Sequence, residues 1–264
     1  MSTMRKAISP TNALGVVFSK HLRQQVSARK TFILGAVLLV PVIGAVVYAA
    51  GDGTSGLSVF KSLVESIYIA LLLPLAGLFF GGPTVVEEIE GQTASYLFLR
   101  PVAKPLVFLG KVLASILMVS AMVLVPVLLL YPILMTAGAS VGDHLPMLAK
   151  MSMTLLIGSV SYTAVFAALG ALFSRSLLAG IIFWVVFEWL LSLVPVLGTA
   201  TQKYHLRNTA DLIDPGQLGT LEKFVGLQKP IIVSIPLSYA VLIGVTCVAL
   251  AVGAYVFNRR QYMA

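Results

Sequence analysis

Six apolar runs alternate with shorter polar segments along this chain. Thr31 to Ala50 holds 20 residues without a charge, Val112 to Gly142 holds 31, and Pro230 to Asn258 holds 29. Ser66 to Gly82, Met151 to Ser174 and Leu177 to about Leu197 are the other three. Crossing hydrocarbon about 30 Å thick takes about 20 helical residues. The pattern therefore predicts an all-α polytopic membrane protein with six transmembrane helices, near 31–50, 61–82, 106–136, 150–174, 177–198 and 231–257. Residues 1–30 form an N-terminal region, 31–258 the six-helix domain and 259–264 a tail.

Smaller patterns refine each span. Leu14, Val17, Phe18, Leu22 and Val26 recur at helical spacing, with Lys20, Arg23, Ser27 and Lys30 between them. That predicts an amphipathic helix lying in the cytoplasmic interface, with its cations toward headgroups. Lys61 and Glu65 stand at i, i+4 and extend the second helix outward. Pro74 is expected to kink it, and Gly77 and Gly81 offer a small-xxx-small face for close helix packing. The third run exceeds one perpendicular span, so it is tilted, broken at Pro126 or Pro132, or continued into an outer segment. Ala164, Ala167, Ala168, Gly170 and Ala171 form a small-residue patch in the fourth. Between spans five and six, Thr199 to Lys229 is too polar to cross. Its apolar positions suggest two short outer helices split by Asp214-Pro215-Gly216.

Composition agrees with a bilayer protein. Apolar residues make up 58% and charged residues 11%, with a mean hydropathy of +0.97; soluble domains carry roughly 25% charged residues. The net charge of +8 lies mainly beside the apolar runs, which fits membrane anchoring better than nucleic-acid binding. With both termini cytoplasmic, 12 of the 18 Lys and Arg fall on the inner side, the sense of the positive-inside bias. The first span is too long, and its lead too long, for a cleaved signal peptide. A single cysteine, Cys247, excludes a disulfide framework within the chain.

Candidate chemistry is sparse. His21, His144 and His205 sit in separate segments without ligand spacing, so no metal site is expected. No phosphate-binding G-x-x-x-x-G-K-[ST] loop is present, because Val112 follows Gly110-Lys111 and Pro105 stands at the first Gly position. Glu188, between Phe187 and Trp189, is the one carboxylate deep in an apolar run. At the bilayer centre it would cost roughly 2.5–3.5 kcal/mol, so it needs a partner or a proton. A functional contact and a structural hydrogen bond to a neighbouring Ser or Thr both remain open for it.

The longest polar interruption in the first half is Gly81 to Lys111. It carries Glu87-x-x-Glu90-Gly91-Gln92-Thr93, then Leu97-x-Leu99-Arg100-Pro101-Val102-x-Lys104, then Gly110-Lys111. With the six-span layout, this resembles the permease subunits of type 2 ATP-binding-cassette (ABC) exporters over nearly the whole chain. The basic N-terminal helix, the polar segment before span six and the terminal Phe257-Asn258-Arg259-Arg260 are family-like as well. Gln92 between Gly91 and Thr93, and Lys104 in place of the usual Arg, depart from the commonest pattern but keep polarity or charge.

The resemblance implies a transmembrane permease subunit in the cell membrane, a permease dimer (a homodimer in the simplest case), and a separate ATPase subunit. ATP and magnesium would bind that partner, and this chain would hold no cofactor and catalyse nothing. It further implies that a coupling helix near 85–99, with Glu87, Glu88, Glu90, Gly91, Thr93, Tyr96, Leu97, Phe98 and Arg100 around it, docks on the ATPase. Tyr96, Leu97 and Phe98 are anchors of the type that dominates interfaces. A non-transporting membrane scaffold or signalling subunit is one alternative. A stand-alone secondary carrier is another, though it would want more intramembrane polar groups and inverted repeats.

Overall fold

A computed structural model describes residues 10–51, 55–84, 104–136, 142–213 and 233–259. These residues are mostly helical, and no strand occurs among them. Helix α1 covers Pro10–Val26, α2 Arg29–Ala50, α3 Gly56–Gly81 and α4 Lys104–Met135. They are followed by α5 (Leu145–Leu172), α6 (Ser176–Leu193), α7 (Gln202–Thr209) and α8 (Ile235–Arg259). Six of them, α2 to α6 and α8, are long and apolar enough to cross a membrane. The spans run up and down, so the bundle has one end carrying α1 and another carrying α7. The second of the two short outer helices expected from sequence lies outside the described residues.

The prolines meet different fates. Helix α4 runs unbroken through Pro126 and Pro132 for 32 residues, about 48 Å at 1.5 Å per residue. Of the three ways open to its long apolar run, a break is the one the backbone rejects. Helix α3 meets Pro74 after a stretch of π-helix, Val64–Leu72. The wider turns end just before the proline ring would otherwise collide with the carbonyl four residues back. Hydropathy extends the fifth span to 198, but α6 stops at Leu193. Val194 is extended (φ −99°, ψ 117°) because a residue before proline is driven out of the α region, and here Pro195 follows.

Packing is tightest between α3 and α5, where backbones touch. A methyl group on Gly77 would sit 3.0 Å from the Tyr162 Cβ, and one on Gly81 2.6 Å from the Thr163 carbonyl oxygen. A methyl on Gly170 would overlap the carbonyl oxygen of Gly82. Without a hydrophobic drive between helices in lipid, close contact of this kind supplies the association energy. Around this seam, the Phe60 and Tyr131 rings meet edge to face at 5.4 Å, and the Tyr68 hydroxyl donates to the Leu38 carbonyl at 3.0 Å. Helix α8 closes on α4 and α5 through Gly253, which admits the Phe108 ring. Helix α6 is the least embedded. Only Ser176, Gly180 and Glu188 are buried along it, while Leu178, Ile182, Phe187, Trp189 and Leu190 are exposed.

Candidate functional site

Among the described residues, two polar clusters interrupt this apolar bundle, one at each end. At the α7 end the centre is Glu188, 2% exposed, in a second π-helical stretch, Trp184–Leu190. It lies five residues before α6 ends, not midway along it. Its partners are neither Ser nor Thr side chains. Oε1 accepts from the backbone N–H of Gln202 at 3.0 Å and Oε2 from that of Lys203 at 3.0 Å. The Thr201 hydroxyl accepts from the N–H of Tyr204 at 3.2 Å. The first three N–H groups of α7, which no intrahelical carbonyl can reach, are thus all taken by side chains. A carboxylate at this position also complements the positive end of the helix dipole.

Further contacts pin α7 to its neighbours. Ser161 on α5 donates to Gln202 Oε1 at 3.2 Å, and the Tyr204 hydroxyl accepts from the Val233 N–H at 3.1 Å. Arg207 pairs with Glu65 of α3 at 2.5 Å; α3 does extend outward through Lys61 and Glu65 to Gly56, and the Glu65 carboxylate there meets a cation on α7. His205 Nδ1 meets the Ser238 hydroxyl of α8 at 3.1 Å, and Asn208 Nδ2 donates to the same oxygen at 2.8 Å. The Thr154 hydroxyl donates to that of Thr209 at 3.4 Å. Burial, and then the neighbouring Arg207, lower the pKa of Lys203 against the pull of Glu188 and Glu65. Burial likewise lowers that of His205. At the C-terminus the N–H groups of Asp211 and Leu212 return to the carbonyls of Asn208 and Arg207, with Asp211 at φ 61°. Glycine normally takes that left-handed place. Aspartate there forms an ion pair with Lys150 at 2.9 Å instead.

At the other end α1 lies along α4. Gly110 lets it approach, since a methyl there would be 3.3 Å from Val17. The buried face of α1 carries His21 and Gln25 as well as apolar side chains, while Val26, assigned to that face by spacing, is half exposed. Gln25 Nε2 meets His21 Nε2 at 3.0 Å and donates to the Ser115 hydroxyl at 2.7 Å. Ser115 contacts Thr84 at 3.3 Å, and Lys111 Nζ donates to the Thr84 carbonyl at 3.3 Å. The chain leaving α3 is therefore tied to α4 and α1 at the point where the 85–103 segment begins. The coupling residues read from sequence, Glu87, Glu88, Glu90, Gly91, Thr93, Tyr96, Leu97, Phe98 and Arg100, lie outside the described residues. Pro74, Gly77 and Gly81 sit in the α3 half that faces α5.

Residues 15–262 match the family model described as ABC-2 family transporter protein. The chain belongs to the ABC-2 transporter family. Among curated proteins, none matches it. Membrane subunits of the ABC-2 family form the membrane component of a transporter, are not themselves catalytic and generally pair with an ATPase component. The six apolar helices place this one in a membrane. Sequence spacing did not reveal the partners that bind α7. Glu65, Ser161 and Ser238 come from α3, α5 and α8, and only Glu188 stood out by its apolar surroundings.

His21 makes the α1 cluster pH-sensitive. Burial first, then the positive charges of Lys111 and Lys30, lower its pKa from 6.5 to about 3. The docked state thus holds the imidazole neutral, so the stabilisation is complete above pH 6.5 and is lost as pH falls toward 3. The loss amounts to about 1.4 kcal/mol per pH unit in that window. A spin label at Ser19 should gain mobility on acidification from pH 7 to 4. In H21Q the same titration should be flat.

Proposed function

We propose that this chain is the permease subunit of an ABC exporter of the plasma membrane. It would work as a dimer, with both termini cytoplasmic, and be driven by ATP and magnesium bound to a separate ATPase. The observation that supports this most is the α1-end cluster. His21, Gln25, Ser115, Thr84 and Lys111 tie α1, the start of α4 and the end of α3 together beside the 85–103 segment. A push on that segment would reach three helices at once, as a lever between ATPase and bundle requires. Switching then proceeds between discrete packings. On this reading α7, at the opposite end, covers the exit, and the exposed apolar face of α6 meets either lipid or the second permease.

The test is E87A/E90A in the complete complex, copurified from its native membrane in mild detergent and reconstituted. ATP hydrolysis should persist while substrate flux falls to background. Wild-type flux in the double variant would refute the lever, and the absence of any copurifying ATPase would refute the transporter reading itself.

A further inference from the structure

The two acidic residues that hold α7 share an unusual placement. Glu65 lies in the π-helical stretch of α3 and Glu188 in that of α6. One grips the first turn of α7 through two backbone N–H groups, and the other grips its second half through Arg207. A π turn holds one more residue than an α turn, is rare and is frequent at functional sites. Reversion to α geometry would rotate the residues beyond it by about 100° and advance them by about 1.5 Å. With the C-terminal half of α3 held against α5, reversion would turn Glu65, at the N-terminal edge of its stretch, away from Arg207, and reversion in α6 would turn Glu188, inside its stretch, through part of that rotation. We propose that Glu188 and Glu65 are paired positioning residues that latch α7 shut, and that the π stretches of α3 and α6 set whether the latch is closed.

Other contacts on α7 could not do this. Those from His205 and Asn208 to Ser238, and that from Thr209 to Thr154, run to regular α-helix in α8 and α5. The His205 and Asn208 contacts to Ser238 of α8 serve as the hinge side about which α7 swings, so that its α5 side, with Thr209, opens. That the latch serves transport rests on the exporter reading; the latch itself does not.

The test uses the full chain in lipid nanodiscs, with the exposed Cys247 replaced by alanine and a cysteine at Thr209, which is 0% exposed. The rate of reaction with a polar maleimide reports opening. E188Q keeps the shape but turns an amide N–H toward the α7 donors, and it should label about tenfold faster or more. E65Q and R207E should also label faster, and the charge-swapped pair E65R/R207E should return toward the parent rate. A merely structural lesion would not be rescued by the swap. Parent-rate labelling of E188Q, or a swap as fast as R207E, overturns the latch. If E188Q fails to fold, hydrogen exchange on the parent decides. The amides of Gln202, Lys203 and Tyr204 should exchange slowly and together, and exchange at the rate of free amides overturns the proposal. No ATPase or substrate enters these measurements. Normal latching without flux in the full complex would instead refute the exporter reading alone.

Discussion

Gly170→Ala is expected to be among the most destabilising single-methyl changes available in this chain. The added methyl meets the Gly82 carbonyl oxygen, and the next nearest atoms are the Gly82 carbonyl carbon at 3.1 Å and Cα at 3.4 Å. All three are backbone atoms. No side chain can rotate away, so α3 and α5 must separate along a seam that also contains Gly77 and Gly81. Overpacking costs about 1–3 kcal/mol, occasionally more, and this site belongs at the upper end. The separation also displaces Thr84, and with it the start of the 85–103 segment. Gly44 and Gly244 are the controls. Nothing lies within 4 Å of a methyl at either, so alanine there should be neutral or stabilise by up to about 1 kcal/mol through helix propensity. Thermal unfolding in one detergent should rank the variants with Gly170→Ala lowest. A midpoint equal to those of the controls would mean that the seam yields more easily than its geometry implies.

T154C/T209C, in a background without Cys247, should stop transport when oxidised and restore it on reduction. The two hydroxyls are 3.4 Å apart, so sulfurs in their places face each other and need to close to an S–S bond of about 2.05 Å by side-chain rotation. The bridge would fix α7 to α5 whatever the state of the two acidic latches. On the exporter reading, substrate flux should fall to background under oxidant while ATP hydrolysis continues. Either single cysteine should be insensitive to oxidant. Unchanged flux with the bridge formed, as shown by a gel shift, would mean that α7 does not need to move for export.

The bundle was largely legible because uncharged runs of helical length admit one interpretation in a bilayer. Helix ends were less so. The fifth run stays apolar past Leu193, and only the rule against α geometry before Pro195 locates the stop. The π stretches left no trace in hydropathy, since changing the hydrogen-bond register alters no residue type. Glu188 was visible as a carboxylate out of place, but its partners were not, because backbone N–H groups have no letter in a sequence. The Glu65–Arg207 pair joins residues 142 positions apart, and no local spacing marks it. Gly77 and Gly81 could be picked out by spacing, whereas Gly82, which meets Gly170 most closely, fits no such pattern with it.

The lengths of α4 and α6 have a consequence for the surrounding lipid. At 32 residues α4 reaches about 48 Å, and at 18 residues α6 reaches about 27 Å. One face of the protein is thus cut for a thicker bilayer than the other. Lipid beside the exposed side chains of α6 must thin, or give way to a second protein surface, while α4 leans or projects. Hydrophobic mismatch of this kind costs fractions of a kcal/mol per ångström, enough for membrane thickness to bias how α6 is seated. The bilayer thereby acts on the helix that carries Glu188.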